Sequence, residues 1–153
     1  MPAGFCGVEV RKENLAPLLP LEGDNIVNEL VPFQAVQGAG CRILVDGKQA
    51  LYVSVSHFRN KVPTPVKPDP ARGLVVPPFK HGADRAVSFG GEAYLGSDGG
   101  VIKASCDAPN SYVEVIVRLG RDQILDTSDG YKKIQPFVEE FVPKETKKYD
   151  CTK

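Results

Sequence analysis

The stretch ADRAVSFGGEAYLGSDGGVIKASCDAPNSYVEVIVRL, Ala83–Leu119, decides the fold. Three of its runs, Arg85–Phe89, Val101–Cys106 and Tyr112–Leu119, are rich in β-branched and apolar residues and read as strands, with Glu92–Leu95 a fourth, shorter one. Between them lie Gly90-Gly91 and Ser97-Asp98-Gly99-Gly100. Glycine there supplies positive φ at little cost, so these are turns. The five residues Asp107–Ser111 suit a hairpin loop. In the last strand Val113, Val115, Val117 and Leu119 share one face, and Tyr112, Glu114, Ile116 and Arg118 share the other.

Upstream, the clearest hairpin spans Cys41–Phe58. Arg42–Val45 and Gln49–Phe58 flank Asp46-Gly47, a type I′ turn signal. Leu51, Val53 and Val55 alternate with Tyr52, Ser54 and Ser56, which gives one core face and one more polar face. Asn25–Val36 is ambiguous between a helix, interrupted by Pro32, and an edge strand. Val10–Leu19 reads as a short amphipathic helix with Val10, Leu15, Leu18 and Leu19 on one face, bent at Pro17 and ended by Pro20. Downstream, Ile134, Phe137, Val138, Phe141 and Val142 recur at helical spacing within Tyr131–Tyr149. Ser128 or Asp129 is its expected cap, Pro136 falls near its first turn, and Pro143 is expected to kink or interrupt it. The expected architecture is α+β, an antiparallel sheet covered by a short N-terminal helix and a longer C-terminal one. The 153 residues are read as one domain, 1–153.

Arg59–Phe79 differs in kind. It carries Pro63, Pro65, Pro68, Pro70, Pro77 and Pro78, each of which removes a backbone donor and fixes φ. A central strand is excluded there. The segment reads as an extended, partly polyproline-like surface arm at about residues 60–79. It is either a long loop between two halves of a sheet or a docking arm, with Pro63, Pro65, Pro68 and Pro70 the candidate binding residues.

Nineteen basic and nineteen acidic residues leave no net charge. A nucleic-acid binder needs a basic face to displace counterions, so that class is disfavoured. The longest apolar runs fall far short of the about 20 residues that span a bilayer. Cys6, Cys41, Cys106 and Cys151 contain no Cys-x-x-Cys pair, and the only histidines are His57 and His81. Zinc sites usually show close ligand pairs, so no metal or cofactor is expected. An even, dispersed set of cysteines points instead to two disulfides and an oxidising compartment. Of the three pairings, Cys6–Cys41 with Cys106–Cys151 is favoured. Met1–Gly7 has neither a basic nor an apolar leader region, so export implies that a leader has been trimmed and Met1 added.

Catalytic chemistry finds little support. His57 and His81, with Asp84, Arg85 and nearby serines, suggest a hydrolase group, but there is no Gly-x-Ser-x-Gly elbow. Surface or loop histidines are the plainer reading. Gly96–Gly100 lacks the following helix that a phosphate cradle needs. Asp122, Asp126 and Asp129 depart from calcium-loop spacing and read as a solvated loop.

Several short segments, in order, carry a resemblance. They are Cys6-Gly7 before Asn14–Pro20, Cys41 opening a strand, Gly82–Val87, Ala93-Tyr94-Leu95, and Phe137–Cys151 at the end. In these the chain resembles a domain of unknown function from exported actinobacterial envelope proteins, many of them lipoproteins. The resemblance implies an α+β sandwich, PsbP-like, and no established activity. No apolar run precedes Cys6, so that residue is read as a disulfide partner rather than a lipid-bearing one. The resulting expectation is a non-catalytic, secreted or envelope-associated binding domain whose partner is another extracellular or envelope protein. A secreted inhibitor or a subunit of an extracellular assembly is the alternative. A hydrolase using His57 or His81 is the third reading.

Overall fold

The computed structural model describes residues 4–20, 25–32, 37–62, 66, 79–120 and 127–152. A two-residue hairpin opens the chain, β1 (Gly4–Phe5) and β2 (Val8–Glu9), turning at Cys6 and Gly7. Then come α1 (Lys12–Leu15), a 3-10 turn (Ala16–Leu18), β3 (Ile26–Pro32), β4 (Gln37–Val45) and β5 (Lys48–Phe58). The second half holds β6 (Ala83–Arg85), β7 (Gly91–Leu95), β8 (Gly99–Ser105), β9 (Tyr112–Leu119), a 3-10 turn (Gly130–Lys133) and α2 (Gln135–Lys148).

Seven strands form one antiparallel sheet in the order β3-β4-β5-β9-β8-β7-β6. Two meanders, β3-β4-β5 and β6-β7-β8-β9, join where β5 pairs with β9. The expected α+β architecture is therefore present, with its two helices and both disulfides in the favoured pairing. Asp46 and Gly47 both have positive φ, 51° and 81°, as a type I′ turn requires. Asn25–Val36 resolves as the strand β3 at the sheet edge, and residues 33–36 lie outside the described ones.

Alternation assigns the faces. Leu51, Val53, Val55 and His57 of β5 and Val113, Val115, Val117 and Leu119 of β9 point to one side and are buried. Ile134, Phe137, Val138, Phe141 and Val142 are fully buried in the core on that side, the face that the 3.6-residue period marks. Phe5 packs against the stacked rings of Phe137 and Phe141, its ring 6.1 and 5.8 Å from theirs. Glu140 locks α2 to α1 by accepting bonds from the Arg11 backbone N–H (2.9 Å), Asn14 Nδ2 (2.9 Å) and Lys144 Nζ (2.8 Å). Burial alone would raise its pKa, but the bonds from Lys144, Asn14 and Arg11 hold it below the ordinary value.

One charged group enters this core. Glu145 of α2 is fully buried, and its carboxylate lies 3.6 Å from Lys148 Nζ. Among the described residues neither of its oxygens has a hydrogen-bond partner, and Lys148 gives its short bond, 2.8 Å, to the Cys6 carbonyl. Burial pushes the Glu145 pKa up to about 7, against the opposing pull of Lys148.

Four local expectations need correction. The run Arg85–Phe89 is not a strand, because β6 ends at Arg85. Beyond it α2 captures the chain: the Ser88 backbone and hydroxyl donate to Glu139, and Gln135 Nε2 donates to the Ala86 carbonyl. Asp129 precedes a 3-10 turn, makes no side-chain cap and pairs instead with Lys132 at 3.5 Å. Of the kink or interruption expected at Pro143, the interruption does not occur: α2 runs on to Lys148, with Phe141 and Val142 before the proline and Glu145 and Thr146 after it buried in the core. The Pro-rich segment is not wholly a surface arm. Val66 and Phe79 are buried with Val101 on the opposite face of the sheet, against Tyr94 and Ile116. Apolar side chains gain more by covering that face than by facing water. Pro63, Pro65, Pro68 and Pro70 lie outside the described residues.

Candidate functional site

The two histidines stand at opposite ends of the sheet. His81 is exposed in a turn whose neighbour Lys80 bonds Asp98, beside the end of β9. His57 pairs across to Val113, at the start of β9. They do not form one group. His57 is also not a surface histidine, as it is only 6% exposed. The period of two that buries Leu51, Val53 and Val55 carries His57 to the same side, at the rim of the core.

A pocket of about 410 Å³ opens there. Three segments build it: the end of β5 with Arg59 and Asn60, the loop Cys106–Ser111 between β8 and β9, and Asp150-Cys151 after α2. Each reverses tightly. Asn60, Asn110 and Asp150 have φ of 55°, 55° and 56°, a region that Asn and Asp tolerate better than other side chains. Backbone bonds hold the segments together: Lys61 N–H to the Asn110 carbonyl (2.8 Å), Cys106 N–H to Ser111 (3.0 Å) and Asp107 N–H to Cys151 (2.8 Å). The Cys106–Cys151 disulfide, with Cα atoms 4.5 Å apart, joins the loop to the end of the chain.

His57 sits against this disulfide. Its Nε2 is 3.7 Å from Cys106 Sγ and 3.3 Å from Ser111 Oγ, and its ring centroid is 6.1 Å from that of Tyr149. Burial lowers its pKa, and the nearby Arg59 charge lowers it further. The imidazole is therefore neutral at neutral pH. The Ser111 hydroxyl has one proton, and Phe58 offers a carbonyl 3.1 Å away that can only accept. In the Nε2–H tautomer His57 donates to Ser111 while Ser111 donates to Phe58; in the Nδ1–H tautomer Nε2 is an acceptor for the Ser111 hydroxyl. A nitrogen that donates to a hydroxyl is not positioned as its base. The serine–histidine contact thus has the distance of a catalytic pair, and its polarity follows the histidine tautomer.

The other expectations find their places. Gly96–Gly100 belongs to the β7–β8 hairpin, closed by Gly96 N–H on the Gly99 carbonyl at 2.8 Å. Asp122 and Asp126 lie outside the described residues. Arg59, Asn60, Ser111 and Asp150 were not singled out from the sequence. Single polar residues in three separated turns leave no spacing signal, and only His57 and the cysteines mark the spot. No helix among the described residues is long and apolar enough to cross a membrane. Comparison with protein-family models, curated proteins and solved structures gives no match to this chain.

Proposed function

We propose that this chain is a non-catalytic binding domain of the secreted or cell-envelope space, and that the His57-end pocket is where it engages another extracellular protein. The observation that carries this reading is the pocket itself: a concave, disulfide-framed site at the end of the sheet, with Arg59, Asp107 and Asp150 among its lining residues. A hollow lined by polar groups and by residues of both charge signs suits a polar peptide segment, which presents donors and acceptors of its own. Two disulfides support an oxidising compartment. The PsbP-like envelope resemblance belongs to the same reading. The assembly-subunit alternative draws on β3, an edge strand that leaves Ile26, Val27 and Leu30 exposed, the last at 58%.

A photo-reactive amino acid placed at Asn60 or Ala108 tests the pocket, with Glu13 on α1 as the control position. In extracellular extract the two pocket positions should yield one shared protein adduct that Glu13 does not. Identical adducts from all three positions, or none from the pocket, would remove this reading. Light scattering that shows a stable oligomer would favour the assembly alternative.

A further inference from the structure

His57, Cys106 and Cys151 present one imidazole nitrogen and two sulfurs that all lie within 4.8 Å of one another. In the disulfide form neither sulfur is a thiolate, so the trio offers an ion no anionic ligand. We propose that reduction of Cys106–Cys151 converts this corner into a Zn²⁺ site, with two thiolates and one imidazole as ligands and the fourth position open to the pocket. This does not rest on the peptide-binding reading.

The geometry favours it. Zinc takes thiolate at about 2.3 Å and imidazole at about 2.0 Å in a tetrahedron, which places sulfur and nitrogen ligands about 3.6 Å apart. His57 Nε2 already stands 3.7 Å from Cys106 Sγ. Once the covalent bond is gone, rotation about the two Cα–Cβ bonds separates the sulfurs. Metal binding at Nε2 requires the imidazole proton on Nδ1 and replaces the Ser111 contact, and Ser111 keeps its bond to the Phe58 carbonyl. The neutral state of His57 suits ligation. Three protein ligands and one open position are the usual arrangement of a zinc site that is not purely structural.

Access makes the reduction selective. Cys106 is half-buried and lines the pocket, whereas Cys6 and Cys41 are 4% and 1% exposed. A dithiol reductant attacks Cys106 Sγ through its thiolate. The mixed disulfide forms and Cys151 leaves as thiolate, taking the proton that the attacking thiol gave up. The second thiol of the reductant then displaces Cys106. The reductant departs as its own disulfide, having supplied two electrons and two protons. Zn²⁺ afterwards displaces the two thiol protons.

The test reduces the full chain briefly with dithiothreitol, removes the reductant without oxygen and adds Co²⁺, followed by Zn²⁺. Alkylation should label Cys106 and Cys151 ahead of Cys6 and Cys41. One Co²⁺ per chain should give a thiolate charge-transfer band and tetrahedral d–d bands that Zn²⁺ abolishes. The oxidised chain should give neither. His57→Ala should weaken binding by at least roughly the tenfold that loss of even an outer-shell partner costs. Equal binding by the oxidised chain, unchanged affinity and bands in His57→Ala, first labelling of Cys6 and Cys41, or no bands from a folded reduced chain would each overturn the proposal. Should reduction unfold the chain, Zn²⁺ must restore the folded far-UV circular dichroism in the parent and not in His57→Ala; failure to restore it also overturns the proposal.

Discussion

Replacing Glu145 by Gln should stabilise the protein in alkaline solution and leave it nearly unchanged in acid. The carboxylate is fully buried, and burial raises its pKa from the ordinary 4.5 to about 7 in spite of Lys148 at 3.6 Å. The folded chain therefore holds this proton more tightly than the unfolded chain does. Its contribution to stability is complete below pH 4.5 and is lost as pH rises through 7. A displacement of roughly two and a half pH units, at about 1.4 kcal/mol per unit, comes to about 3 kcal/mol at pH 8. Glutamine keeps the shape and a polar end but has no charge to bury. Lys148 retains its bond to the Cys6 carbonyl. Urea unfolding followed by circular dichroism, under non-reducing conditions at pH 5, 6, 7 and 8, gives the difference between the two proteins. That difference should grow from somewhat under about 1 kcal/mol at pH 5 towards about 3 kcal/mol at pH 8 in favour of the variant. His57 titrates in both proteins and cancels. A difference that stays constant across this range, or a variant less stable at pH 8, would refute the reasoning.

The remaining predictions concern the core, the staples and the pocket. Phe141→Ala removes a fully buried ring that packs on Phe5 and Phe137 and should cost about 3–5 kcal/mol in the same unfolding experiment. Non-reducing peptide mapping should recover Cys6–Cys41 and Cys106–Cys151, and the pair Cys106→Ser/Cys151→Ser should lower stability by about 2–5 kcal/mol. The His57 ring proton resonances should titrate below pH 6.5, because burial and then Arg59 disfavour the cation. Arg59→Ala should bring the midpoint part of the way back. The sign for stability is opposite to that of Glu145: the His57 contribution is complete above pH 6.5 and is lost as pH falls through the lowered value.

Much of the fold was legible in local pattern. The alternation of Leu51, Val53 and Val55, the Asp46-Gly47 turn and the helical recurrence of Phe137, Val138, Phe141 and Val142 each state a periodicity or a backbone requirement within a few residues. Where a local signal met a stronger distant one it failed. Arg85–Phe89 has strand-like residues, yet Glu139 and Gln135 of α2 claim the backbone of Ala86 and Ser88. Pro143 is a helix breaker by itself, yet the core on either side holds the helix through it.

What the sequence determined alone, then, is the central hairpins, the C-terminal helix, the buried face of each and the doubly stapled character of the chain. Those follow from side-chain period, turn chemistry and cysteine count, all of which act over short distances. The tertiary structure decided which ends meet. Pairing of β5 with β9 brings the end of one meander to the start of the other strand, and α2 returns the chain terminus to the same corner. His57, the Cys106–Ser111 loop and Cys151 are far apart along the chain and share no motif. Only strand register and helix packing place an imidazole 3.7 Å from a disulfide sulfur, and that placement is where the chemistry of this protein is to be sought.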